Sequence, residues 1–418
     1  MLRIYKDSLK ALNRNMKLFF IVVIFEGIVM GLNDTLYNIY LQTQGYSQTT
    51  MGEIAGITSL AFLLFTIIGG IISDKIGRNK SMILGGIVSS FMLLGRIVVN
   101  DVNLVLCFNF LNGIGYCLYM VSCSPFMAVE VEPEHRVSVF SLVFAALNAS
   151  SIFGYFLGGA IPDLLASEGI SLLLSQEITL YGGVVASFAM IVPLFFTRQS
   201  TQRSAITDKP NELVKSSTSS FFNVLKTMPR SQQLMIFRLN ISQLFVSVGS
   251  ALIVPLLGIF LMTRFEISST IVGGIMSLGQ LTMVLTTLLG PLLAKKYGLV
   301  LASSILQFAS IPFMLLLGHT NFFPLAVISY LIRGSLMNAA NPLQSTVLMD
   351  HVNEEYRGFA NGVMDMSFNL GRTIFSGLSG SLSEQYGFGL VYNIASLFYA
   401  LGALAYYFFN RHLKDATS

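Results

Sequence analysis

Twelve runs of mostly apolar residues, each long enough for a helix to cross a bilayer, decide what this 418-residue chain can become. A transmembrane helix needs about 20 such residues. The runs fall near 17–40, 50–72, 82–99, 103–127, 138–161, 177–197, 234–262, 268–293, 299–318, 322–347, 359–383 and 390–409. Backbone N–H and C=O groups cannot be left unpaired in lipid, so each run is expected to be helical. Apolar residues make up 53% of the chain and charged residues 11%, where a soluble domain carries about 25% charged. A water-soluble globule is excluded, because too little polar side chain remains to cover it. The net charge of +4 is too small for a nucleic-acid footprint. The expected class is an all-α membrane protein of twelve transmembrane helices.

Lys and Arg set the orientation. With the N-terminus in the cytoplasm, most of the 25 basic residues fall in cytoplasmic segments, among them Lys75, Arg78, Lys80, Arg136, Lys295, Lys296 and Arg357. Both termini are then cytoplasmic. The stretch 2–17 mixes Leu2, Ile4, Tyr5 and Leu9 with Arg3, Lys6 and Lys10, and reads as an interfacial helix rather than a cleavable signal. Residues 198–233 are rich in Ser, Thr, Gln and Lys and carry Pro210 and Pro229. They read as a cytoplasmic linker between two six-helix bundles, 1–197 and 234–418, with a short surface turn at Phe221, Phe222, Leu225 and Lys226. Cys107, Cys117 and Cys123 all lie in one apolar run, which suits packing rather than a disulfide framework.

The two halves are related. A constant shift of 221 positions maps Gly77 onto Gly298, Gly113 onto Gly334, Arg136 onto Arg357, Asn148 onto Asn369 and Gly159 onto Gly380. An ungapped register of this kind points to an internal duplication, hence two pseudo-symmetric bundles. Parallel repeats place a substrate site between them near mid-membrane.

The loop after the second run reads Gly70-Ile-Ile-Ser-Asp74-Lys75-Ile-Gly77-Arg78-Asn79. It resembles the signature loop of the major facilitator superfamily, G-x-x-x-D-[RK]-x-G-[RK]-[RK]. The resemblance implies the major facilitator fold, with Gly70, Asp74, Lys75, Gly77 and Arg78 latching the cytoplasmic side. Gly70 would admit a neighbouring helix, Asp74 would accept from amides at another helix N-terminus, and Gly77 would make the turn. Asn79 departs from the usual basic residue. The alternative is a turn that serves only the positive-inside bias.

Six charges within the runs stand out as intramembrane candidates: Glu26, Asp34, Arg96, Arg333, Asp365 and Arg372. Each costs about 2.5–3.5 kcal/mol at mid-membrane on insertion scales, so such residues usually have a role. Their charges sum to zero, which suggests partial mutual pairing. Glu26 and Asp34 project within about 80° of each other, and Asn33 adds polar character. Burial disfavours the ionised form of a carboxyl, so such a group can load and release a proton as access changes sides. The segment resembles the first span of bacterial drug/proton antiporters. Proton coupling through Glu26 or Asp34 stands against a static ion pair with Arg333 or Arg372. Asp365, Asn369 and Arg372 share one helix face, and either arginine could bind an anionic group bidentately. Arg96, near a span end, reads as structural and able to snorkel. Where the antiporters carry R-x-x-Q-G in the fourth span, this chain has Asn109-Phe-Leu-Asn112-Gly113, and the fifth span lacks their proline.

No P-loop, G-x-S-x-G or paired His ligands occur, so catalysis, metal and cofactor are not expected; the driving force would be a proton gradient. The leading expectation is a monomeric, proton-coupled exporter of small lipophilic or amphipathic compounds in a bacterial plasma membrane. Its partners would be the small-molecule substrate, protons and lipid, with no nucleic acid. The alternatives are a carrier of an anionic metabolite that uses Arg333 and Arg372, and a receptor or scaffold that transports nothing.

Overall fold

The apolar runs fall on helices in the computed structural model, which describes residues 12–132, 135–197, 227–287 and 290–413, with the run 268–293 divided between two helices. In chain order the long helices are α1 (Arg14–Thr43), α2 (Gln48–Ile76), α3 (Arg78–Val98), α4 (Val102–Glu130), α5 (Arg136–Ser167) and α6 (Leu172–Phe195). Next come α7 (Arg230–Phe265), which passes through a 3-10 turn at Val254–Leu256, and α8 (Ser269–Thr287), followed by the short helix Gly290–Tyr297. The chain ends with α9 (Leu299–His319), α10 (Phe323–His351), α11 (Glu354–Tyr386) and α12 (Phe388–Asn410). Among the described residues, 11 helices are long and apolar enough to cross a membrane. The remaining one, α11, has 33 residues, about 50 Å of helix. Asn361, Asp365, Asn369 and Arg372 make it too polar to face lipid all round. Leu2 through Lys10 and the linker residues Phe221, Phe222, Leu225 and Lys226 lie outside the described residues.

The duplication is visible in local geometry. Gly77 and Gly298 both precede a helix at positive φ, +94° and +80°. Arg136 Nε donates to Val131 O at 3.3 Å, and Arg357 Nε to Val352 O at 3.1 Å. Asn148 donates to Phe144 O at 2.7 Å, and Asn369 to Asp365 O at 2.9 Å. Even the helix ends match, with Val99 and Thr320 as C-caps of α3 and α9 and Val131 and Val352 as those of α4 and α10.

The chain forms two compact units. The first draws on Met1–Tyr40, Ala61–Phe221 and Ser269–Ser277; the second on Leu41–Leu60, Phe222–Ser268 and Leu278–Ser418. The start of α8 therefore packs in the first unit, on α5, and the start of α2 packs in the second, on α11. In the first unit α1 meets α5 through glycines four residues apart on each side. Gly27 and Gly31 face the backbone at Leu147, Ser151 and Tyr155, while Gly154 and Gly158 face that of Ile28 and Leu32. Without hydrophobic drive between helices in lipid, such small-residue faces let backbones close in and gain dispersion contact. Leu64, Phe144, Phe153, Val185 and Ile374 are exposed, as lipid-facing side chains should be.

The pair α3 and α4 is equally close. A Cβ on Gly85 would sit 2.5 Å from Gly115 O and 2.7 Å from Tyr119 N. Gly85→Ala should therefore push α4 away and cost about 1–3 kcal/mol by overpacking. Cys117 and Cys123 are 0% and 8% exposed, so in a Cys107→Ser chain a thiol-reactive fluorophore reports unfolding directly. The variant should melt at lower temperature, and an unchanged midpoint would refute the tight interface. Cys107, in contrast, is exposed, so it is not the packing residue that its apolar run suggested.

Candidate functional site

The Gly27–Gly31 face holds α1 against α5, and Glu26, about 100° round the helix, turns instead to α4. Glu26 is 6% exposed. Tyr119 OH donates to its Oε2 at 2.8 Å and Tyr116 OH to its Oε1 at 3.1 Å. The two rings stack, with centroids 6.0 Å apart and planes 16° from parallel. Val22, Val23, Met82 and Phe126 belong to the surrounding apolar core. Within its own unit, Glu26 is thus held by two neutral hydroxyls.

Two turns further along α1 lies a second cluster. Arg96 donates through Nη1 to Asn109 Oδ1 at 3.1 Å and through Nη2 to Asn33 Oδ1. Its guanidinium carbon lies 3.7 Å from the centroid of the Tyr37 ring. Asn109 Nδ2 donates to Tyr37 OH at 2.9 Å, and Asn33 Nδ2 to Val29 O at 2.8 Å. At 8% exposure, Arg96 does not snorkel; two amide oxygens and the Tyr37 ring face tie it to α1 and α4, while its Nε has no partner among the described residues. Asp34 is exposed and accepts from Tyr155 OH at 3.1 Å. Asn112 donates to Ser89 Oγ at 2.8 Å and so joins α4 to α3.

A polar seam results. Glu26, Asn33 and Tyr37 share one face of α1, and Asn109, Asn112, Tyr116 and Tyr119 share one face of α4. The spacings 7 and 4 in α1, and 3, 4 and 3 in α4, were readable in the sequence. Tyr37, Tyr116 and Tyr119 were not singled out because aromatics at helical spacing ordinarily mean core packing; Asn109 was noted only as a departure from the antiporter pattern, and Arg96 was read as structural.

In the second unit, Arg333 is 7% exposed. It donates to Tyr399 OH and lies 5.1 Å from that ring's centroid, while its Nε has no partner. Tyr399 in turn fills the space beside Gly249 of α7. Arg372 is half-buried, 5.9 Å from the Phe368 ring centroid. The Asp365 side chain is exposed, and Asn369 spends its amide on the Asp365 carbonyl. The hydrogen-bond and ring partners of Glu26, Arg96 and Arg333 are thus neutral, and the Asp34 carboxylate acts on Arg96 through its charge.

At the Gly77 loop, Asp74 pairs with Arg78 at 3.9 Å, and Arg78 Nη1 donates to Pro125 O at 3.1 Å. Asn79 ties to Leu194 O at 3.2 Å. Lys75 is exposed, and nothing lies within 4 Å of where a Cβ on Gly70 would sit. Among the described residues, therefore, Asp74 has Arg78 as a partner, and the flank of Gly70 is open.

A family model described as Major Facilitator Superfamily matches residues 19–239 and 239–418, almost the whole chain. The chain belongs to the Major Facilitator Superfamily. It is a multi-pass membrane protein of a transporter family, not an enzyme family. Among relatives, it is 28% identical over 136 residues to the uncharacterized MFS-type transporter YqjV of Bacillus subtilis, covering 32% of this chain and 33% of that one. It is 24% identical over 142 residues to the multi-drug resistance efflux pump PmrA of Streptococcus pneumoniae, covering 33% and 35%. The matched segments thus span about a third of the length of these curated relatives. Among solved structures, the nucleoside transporter NupG superposes with a TM-score of 0.75 at 15% identity, over 96% of this chain and 100% of that one. A D-xylose-proton symporter superposes with a TM-score of 0.70 at 15% identity, over 97% and 98%. These likenesses establish the major facilitator fold, and the fold alone.

Proposed function

We propose that this superfamily member is a secondary transporter that works by alternating access and couples proton entry through Glu26 to the export of small lipophilic or amphipathic compounds. Glu26 carries the reading: a carboxyl buried mid-helix, held by two phenol hydroxyls, with no cation paired with it among the described residues. An unpaired carboxylate is costly in a low-dielectric interior, whereas the neutral acid is tolerated. Such a group takes a proton where water reaches it and gives the proton up when access moves to the other side. Tyr116 and Tyr119 supply donors to the ionised state, and Arg96 fixes α1 against α3 and α4 so that the donors stay in place. Two relatives, a multi-drug resistance efflux pump and the methylenomycin A resistance protein of Bacillus subtilis, support export. The basic cytoplasmic loops support a bacterial plasma membrane with both termini inside.

The test is reconstitution in proteoliposomes with ethidium as the probe. An imposed pH gradient should drive ethidium accumulation, and its collapse should end it; accumulation indifferent to the gradient would refute proton coupling. Tyr116→Phe and Tyr119→Phe each remove one hydrogen bond to a charged group, worth about 1.5–3 kcal/mol. Each should slow gradient-driven flux about tenfold or more, with the ring packing kept. Wild-type flux in the double variant would remove the tyrosines from the mechanism.

A second reading rests on Arg333, a buried guanidinium with no acid beside it and a free Nε. Under that reading para-aminohippurate, an organic anion, would be carried in place of ethidium, and Arg333→Lys would abolish its flux.

A further inference from the structure

The 221-residue shift also relates contacts that the family's loop does not involve. In the first unit, Asp163 at the end of α5 caps the start of α8: its Oδ2 accepts from Thr270 N at 2.7 Å and from Thr270 Oγ1 at 2.6 Å. In the second unit, Glu384 at the end of α11 caps the start of α2: its Oε2 accepts from Thr49 N at 3.3 Å and from Thr49 Oγ1 at 2.8 Å. Shifting Asp163 forward by 221 gives Glu384, and shifting Thr270 back by 221 gives Thr49. The contacts behind the caps obey the same exchange. Gly159 lies against Ser269 and Gly273, as Gly380 lies against Gln48 and Thr49. Gly273 meets Tyr155 O, and Gly52 meets Ser376 O. Ser277 donates to Ile152 O at 2.9 Å, where Gly56 faces Thr373 O.

A helix N-terminus has amides without intrahelical partners and a positive dipole end, so a carboxylate there satisfies both. A cap is usually supplied by the helix's own preceding residue, and it then survives any rigid movement. The start of α2 has such a cap in Ser47 Oγ, which accepts from Thr50 N at 3.1 Å; the Asp163 and Glu384 contacts are added to it from another helix, so they are lost as soon as α5 parts from α8 or α11 from α2. The α2 cap sits at the end of that helix opposite the Gly77 loop. At the loop end of α2, Gly70 has an open flank and Asp74 pairs with Arg78. The cap on Thr49 thus clasps α2 at its start, away from the loop.

We propose that Asp163 with Thr270 and Glu384 with Thr49 form two matched latches that hold one membrane face of the transporter closed, and that both must release together for that face to open. The proposal rests on the alternating-access reading, but its test needs neither substrate nor gradient. Spin labels are placed on a Cys107→Ser chain, in which the buried Cys117 and Cys123 are protected from labelling. One pair, Glu168 and Ile271, reports α5 against α8; the other, Thr43 at the end of α1 and Tyr386, reports the turn that leads into α2 against α11. Pulsed electron–electron distance measurements on the full chain should show mainly short distances at both.

Loss of a cap to Ala should raise the ratio of long to short distances roughly fivefold, and loss of both roughly 25-fold. Asp163→Ala alone should lengthen both label pairs, although they lie in different units. Asp163→Asn with Glu384→Gln keeps an accepting oxygen and should retain the short distances, which also separates latch loss from misfolding. Short distances at both pairs in the double Ala chain would overturn the proposal, as would a single variant that lengthens only its own pair. Ethidium flux can succeed or fail independently of either result.

Discussion

Replacing Glu26 with Gln should reduce gradient-driven ethidium accumulation to the level of protein-free vesicles, a loss of at least about 100-fold, the scale on which a positioned proton-transfer group acts. Gln keeps the volume and can still accept from Tyr116 and Tyr119 through its amide oxygen, so the helix packing should survive. What it cannot do is bind and release a proton. Downhill exchange of ethidium across the membrane should therefore persist while uphill accumulation vanishes. That split between exchange and accumulation is what distinguishes a proton carrier from a residue that merely shapes the site. Glu26→Asp retracts the carboxyl by one methylene from Tyr119 OH, now at 2.8 Å, and should keep partial coupling, roughly a tenth of wild type on the energy of one charge-assisted bond. If the Gln variant still accumulates ethidium, the proton travels elsewhere, and exposed Asp34 is the first place to look.

Arg96→Ala should be the most destabilising single change in the first unit. It removes two charge-assisted hydrogen bonds and a cation–π contact at 3.7 Å, and it strands the Oδ1 atoms of Asn33 and Asn109 in a buried site. Hydrogen bonds to charged groups are worth about 1.5–3 kcal/mol each in water-soluble proteins, though interhelical bonds in membranes average nearer 0.6 kcal/mol. An expected cost of about 2–4 kcal/mol corresponds to a midpoint lowered on the order of 5–10 °C. Arg96→Lys should not rescue it, because a single ammonium cannot span both amide oxygens and lie flat on a ring. Thermal unfolding followed at Cys117 and Cys123 checks this. A midpoint within about 1 °C of wild type would mean that Arg96 is solvated and not the hub that its contacts indicate.

The fold was legible because lipid makes it so: twelve apolar runs must be helices, and eleven of those helices pass a simple length and composition test. The remaining helix, α11, escapes that test through its polar residues, Asp365 and Arg372 among them. The repeat was equally legible, and the structure extends it from five landmarks to matched hydrogen bonds and helix ends. The latches were within reach too, since the same shift maps Thr49 onto Thr270 and Asp163 onto the acid Glu384. They were not found because duplicated residues were compared like with like, whereas the contacts pair α5 with α8 and α11 with α2.

The site was half legible. A lone glutamate in an apolar helix announces itself energetically, so Glu26 stood out. Its partners did not, because a tyrosine that bonds a carboxylate and one that fills a core share the same helical spacing. Arg96 was misread for a related reason: proximity to a span end suggested an escape to water, while the actual solution lay inward, on Asn33, Asn109 and Tyr37. Neutral partners carry no charge pattern, and so leave little trace in sequence.

The most direct test of the central claim follows protons and ethidium in the same vesicles, with a pH-sensitive dye trapped in the lumen. Ethidium moving down its own gradient, with no pH gradient imposed, should drive proton movement in the opposite direction in the wild-type chain and none in Glu26→Gln. Equal proton movement in both chains, or ethidium movement without any, would contradict the account.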